Sequence, residues 1–106
     1  MAKYLFSASY TSEGAKGLIK EGGSSRRKQI ESMVKQLGGT LEAAYYSFGE
    51  MDVFVIVDVP DSVTAAAVSL VVNASGAVRL KTIPLLTPEE IDEASRKGIN
   101  YRVPGA

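Results

Sequence analysis

From Val53 to Val59 valine stands at every second position, with Phe54 and Ile56 between and Asp58 the only polar residue. β-Branched and aromatic residues at period 2 specify a strand. Here both sides of the strand are apolar, so both faces of its sheet must be covered. The flanking residues extend the reading. Tyr45-Tyr46-Ser47-Phe48 ends a preceding strand, Gly49-Glu50-Met51 reads as a short hairpin loop that needs Gly49 at positive φ, and Pro60-Asp61 offers a helix cap.

Working outward, Tyr4, Phe6, Ala8 and Tyr10 alternate with Leu5, Ser7, Ser9 and Thr11, which predicts a first strand over residues 3–11. Ser12 reads as the cap of a helix with Glu13 in its first turn. Glu21-Gly22-Gly23-Ser24 interrupts that helix. It resumes with Ile30, Met33, Val34 and Leu37 on one face and stops at Gly38-Gly39. Strands are predicted over 40–48 and 52–59. Asp61 then caps a helix whose apolar stripe is Val63, Ala66, Ala67, Leu70 and Val71, ending at Gly76. Val78 to Leu86 reads as a fourth strand, and Thr87-Pro88-Glu89-Glu90 opens a short helix ending at Gly98. The order βαββαβ predicts an α+β, ferredoxin-like sandwich with an antiparallel sheet in the order 4-1-3-2 and both main helices on one face. Residues 1–106 form one domain, with a short helix and tail over roughly 88–106.

Two helices cover one face of such a sheet, and strand three requires cover on the other. A second copy packed sheet to sheet about a twofold axis supplies it, so the chain is expected to be a homodimer or a multiple of dimers. The competing arrangement folds the terminal helix and tail back over the face, but Ile91, Ala94 and Ile99 offer little apolar cover.

Twelve basic and twelve acidic residues cancel, so no net field draws the chain to nucleic acid or an anionic membrane. No cysteine and no histidine occur, which removes thiol nucleophiles, disulfides, imidazole bases and the usual zinc ligands. No metal or cofactor is expected. No apolar run approaches the roughly 20 residues that cross a bilayer, and a cytoplasmic protein is the default expectation. Gly22-Gly23 lacks a following Gly-Lys-Ser/Thr, so it is no phosphate loop.

Several segments carry a family resemblance. Thr11-Ser12-Glu13-Gly14-Ala15-Lys16, Gly38-Gly39, Tyr45-Tyr46-x-x-Gly49-x-x-Asp52, Pro60-Asp61 and Gly76-x-Val78-Arg79 together resemble the GYD domain family. The resemblance covers strand one through strand four and implies a place among the dimeric α/β barrels. Met51 stands where the family pattern has a tyrosine before the aspartate, so no role of that phenol transfers. The family brings no defined activity. Relatives by fold include cofactor-independent monooxygenases and small isomerases, and that analogy leaves an enzyme, a binding protein and an assembly module as alternatives.

The expected topology brings the end of strand one and the starts of strands three and four to one edge, gathering Tyr10, Asp52 and Arg79. Helix one opens at the same end with Ser12 and Lys16, offering free N–H groups and a positive dipole. The candidate site is therefore Tyr10, Ser12, Lys16, Tyr46, Asp52 and Arg79, suited to a small anionic or polar aromatic molecule: Arg79 gripping a carboxylate or phosphate, Lys16 adding charge, Asp52 and the phenols of Tyr10 and Tyr46 orienting a polar group. The competing reading of Arg79 and Asp52 is a structural ion pair, and that of the tyrosines is core or interface surface. Ser24-Ser25-Arg26-Arg27-Lys28 is the only basic cluster; its charge suits a phosphate or an acidic partner surface, and the competing reading, a solvated helix start, is supported by Arg27 and Glu31 at i, i+4.

Overall fold

The computed structural model describes residues 2–106. Its elements are β1 (Ala2–Tyr10), α1 (Ser12–Glu21), α2 (Gly23–Gln36), β2 (Thr40–Tyr46), β3 (Val53–Val59), α3 (Ser62–Ala74), β4 (Val78–Leu85) and α4 (Pro88–Ser95). The four strands make one antiparallel sheet in the order β2-β3-β1-β4, which is the expected order seen from the other edge.

The side chains that alternation sends to one face of the sheet form the core. Tyr4, Phe6 and Ala8 of β1 and the four valines of β3 are buried together with Val34 of α2 and Ala65 and Val68 of α3. Registry then fixes the opposite face row by row. Leu5 pairs with Ile56 on one side and Ile83 on the other, and Ile56 pairs with Ala43, so an apolar row crosses all four strands. The next row is Tyr45, Phe54, Ser7 and Lys81. No helix lies over this face among the described residues. On it Lys3 reaches past its own neighbour, bonding Asp58 of β3 at 3.2 Å and also Glu42 of β2.

Three local expectations are corrected. Thr11, not Ser12, caps α1: its Oγ1 accepts the Gly14 N–H at 3.3 Å and also lies 3.0 Å from the Gly76 carbonyl oxygen, to which it donates. The cap sits where the hydroxyl serves both the helix and the turn before β4, and only residue 11 reaches both. Gly49 does not adopt positive φ. The loop runs from Ser47 to Asp52 and closes through Ser47 N–H to the Asp52 carbonyl at 2.8 Å, long enough to turn without a left-handed residue. Finally, α3 packs through Ala65, Val68 and Val72, while Val63, Leu70 and Val71 are 76, 73 and 71 % exposed. Apolar residues ring this helix, so its periodicity offers more than one apolar stripe, and the one that packs on the sheet runs through Ala65, Val68 and Val72, with Ala66 and Ala67 left exposed.

A sharp break separates α1 from α2. Gly22 takes φ 85°, a conformation that glycine accepts without a Cβ clash, and so lets α2 set off in a new direction with Arg26 over the sheet. The four-stranded sheet also treats its β4 edge asymmetrically. Asn73 Oδ1 accepts the Leu80 N–H at 2.7 Å and Asn73 Nδ2 donates to the Leu80 carbonyl at 3.3 Å, while Pro84 has no N–H to offer.

Candidate functional site

Tyr10 is the last residue of β1, and the alternation that buries Phe6 and Ala8 directs its ring to the same, helix-covered face, in register with Val78. There it borders a partly open cavity of about 240 Å³ between the sheet and helices α2 and α3. The walls are aliphatic and aromatic, with Phe6, Val55, Met33, Val68 and Leu80 among them. Among the described residues, polar side chains come from three positions only: Tyr10, Arg26 and Gln29. Arg26 is half-buried and Gln29 exposed, so these groups form the rim and the valines the floor.

The rim is organised by hydrogen bonds. Arg26 Nη1 donates to Gln29 Oε1 at 2.5 Å and lies 3.6 Å from Glu21 Oε2. Both contacts use one nitrogen of the guanidinium, which leaves the Nε and Nη2 donors for another acceptor. Tyr46, in register with Val53, shares the helix-covered face; its hydroxyl donates to the Gly23 carbonyl at 3.2 Å and its ring lies close against Gly23, where a Cβ would stand 3.1 Å from Cε2. Burial raises the Tyr10 phenol above its ordinary pKa, the neighbouring Tyr46 phenol adds to that, and the Arg26 charge works against both. Tyr10 therefore remains a neutral hydrogen-bond donor through the neutral pH range.

Asp52 is committed elsewhere. Its Oδ2 accepts the Tyr10 backbone N–H at 2.7 Å, and its own N–H donates to the Ala8 carbonyl at 2.8 Å, so it fastens the hairpin to the end of β1. Arg79 does not join Tyr10. Tyr10 pairs with Val78 and Ser9 with Arg79, which puts Arg79 on the open face of the sheet, and no ion pair links it to Asp52 among the described residues. Ser12 and Lys16 are exposed on α1, outside the cavity lining. Of the six residues named from the sequence, the structure thus brings Tyr10 and Tyr46 together and places Asp52 behind Tyr10. It separates Arg79, Ser12 and Lys16 from them.

Gln29 is not among the residues named from the sequence, and Arg26 is named there only as part of the basic cluster, apart from Tyr10. Their signal was present: Arg26 precedes Ile30 by four positions and Gln29 precedes Met33 by four, so both continue the apolar face of α2 upward. Among the described residues no cluster of three or more acidic, histidine or cysteine side chains is placed to hold a metal, and no helix is long and apolar enough to cross a membrane.

A family model described as the GYD domain matches residues 4–95. Neither the curated proteins nor the solved structures return a match.

Proposed function

This chain belongs to the GYD domain family, and we propose that it is a homodimeric binding protein for a small molecule with an apolar body and an anionic or hydrogen-bonding head. The observation that carries the reading is the cavity of about 240 Å³ with aliphatic walls and a rim of Arg26, Gln29 and Tyr10. That volume falls below the roughly 300–1,000 Å³ of sites for drug-sized ligands, which suits a single ring or short acyl chain. The body enters among Val55, Val68 and Leu80; a carboxylate or phenolate head meets the free donors of Arg26 and the Tyr10 hydroxyl. Binding is favoured over proton-transfer catalysis because, among the described residues, no carboxylate lines the cavity, and the Asp52 carboxylate already holds the Tyr10 N–H.

The apolar row of Ala43, Ile56, Leu5 and Ile83 supports the dimer: two such faces, packed together, remove from water the surface that no helix covers.

Calorimetric titration with benzoate, 4-hydroxybenzoate and hexanoate tests the pocket. Saturable binding by at least one acid is expected, weakened in Arg26→Ala and abolished in Val72→Phe, whose ring fills the cavity. Equal binding by Val72→Phe would place the ligand elsewhere, and no heat with any acid would remove the anionic head from the proposal.

A further inference from the structure

The residues after β4 leave the body of the molecule. Every residue from Pro88 to Ala106 is exposed, and α4 buries none of its side chains. The shape records this: extents of 57 × 33 × 23 Å and a radius of gyration of 16.9 Å, against about 13 Å for a compact chain of this length. The segment is nonetheless equipped for contact. Ile91, Ile99, Tyr101 and Val103 are between 54 and 84 % exposed, and the last three alternate with Asn100 and Arg102, so an extended backbone puts them on one side.

Its charge is as uneven as its shape. α4 carries Glu89, Glu90, Asp92 and Glu93 and no basic residue; among the described residues only Glu90 is engaged through its side chain, in the reciprocal cap with Thr87. The open face of the sheet carries the complement. Arg79 and Lys81 stand exposed on β4 with no ion pair among the described residues, beside Ile83 of the apolar row. The arm cannot serve its own β4 without doubling back, because Arg79 lies six residues, about 20 Å of strand, before the point at which the arm departs.

We propose that the arm of each subunit crosses to a second copy and lies along the β4 margin of the partner's open sheet face. There the acids of α4 meet the partner's Arg79 and Lys81, and the apolar side of the arm adjoins the uncovered rows. The exchange rests on the sheet-to-sheet dimer proposed under the function of the chain. By twofold symmetry each subunit gives one arm and receives one, so the contact closes at two subunits.

A charge exchange tests it. Variant one is Arg79→Glu with Lys81→Glu; variant two is Asp92→Lys with Glu93→Lys, which spares the Glu90 cap. In either variant alone both arm contacts set like charges together, and the dissociation constant of its homodimer, read by sedimentation, is expected to rise about tenfold or more. Mixed in equal amounts, both contacts of the heterodimer pair opposite charges, one with the native sign and one with the sign reversed, and native mass spectrometry is expected to show the one-to-one heterodimer as the main species. Circular dichroism of each variant checks that it is folded. A parent dimer whose two variants dimerise as well as it does, or whose mixture yields no preference for the heterodimer, overturns the arm exchange while leaving the sheet pairing standing. So does a chain ended at Leu86 that keeps the parent dissociation constant. A parent chain that stays monomeric through the micromolar range overturns both.

Discussion

Asp52 and Tyr10 are joined through the backbone of one and the carboxylate of the other: Oδ2 of Asp52 accepts the Tyr10 N–H at 2.7 Å at the point where β1 ends and the ring of Tyr10 enters the cavity rim. The bond makes a surface hairpin responsible for the placement of a pocket residue. Replacing Asp52 by alanine leaves that N–H without its acceptor and is expected to cost about 1–3 kcal/mol in urea unfolding, with asparagine recovering much of it. A loss confined to ligand affinity, with unchanged unfolding, would assign Asp52 to the ligand rather than to the backbone.

Alkaline pH provides a separate handle on Tyr10. Its folded pKa is raised, first by burial and then by the Tyr46 phenol, so above the ordinary tyrosine pKa the unfolded chain releases this proton before the folded one does. The contribution of Tyr10 to stability is thus intact below that pKa and lost as pH rises through the folded value. Wild-type melting temperature is expected to fall more steeply than that of Tyr10→Phe above about pH 10. Parallel curves would mean that the phenol ionises equally in both states.

Two glycines in α1 offer a matched comparison. A Cβ on Gly14 would stand 2.9 Å from Tyr10 Cδ1 and closer still to the Ala77 carbonyl, whereas one on Gly17 meets nothing within 4 Å. Gly14→Ala is expected to lose about 1–3 kcal/mol through overpacking, and Gly17→Ala to gain up to about 1 kcal/mol from helix propensity. Thermal unfolding of the pair, with a gain at both sites, would show that α1 does not pack as described.

Asn73 guards an edge. Its amide occupies both backbone groups of Leu80, and Asn73→Ala is expected to cost roughly 1 kcal/mol and to raise light scattering on prolonged incubation as β4 becomes free to pair. Lower stability without any increase in scattering would mean that Pro84 alone blunts the edge.

The sheet was legible because its evidence is local and repeated. Period-2 runs at β1 and β3 and the Asp61 cap, whose Oδ1 accepts the Thr64 N–H at 2.8 Å, each specify one element without reference to the rest. The packing face of α3 was not legible in the same way: Ala65, Val68 and Val72 recur at helical spacing just as Val63, Ala66, Ala67, Leu70 and Val71 do, and only fit against the sheet chooses between them. Arg79 was grouped with Tyr10 by position along the sheet, while the parity of the β1–β4 register decides which face each side chain takes. Arg26 lies in helical phase with Ile30, but its place at the rim also depended on the redirection of the chain at Gly22, a tertiary consequence that the periodicity of α2 does not carry.

Lys3 bears on how this fold is reached. By holding Asp58 on β3 and Glu42 on β2 from its position on β1, one ammonium ties three strands across a sheet in which β1 and β2 are not neighbours. If β1 joined β3 one residue out of step, Lys3 would turn toward the buried valines, a charge without a partner in the driest part of the molecule. A β1 out of step with β3 is therefore disfavoured, and the cation singles out one register for an inner strand of the sheet.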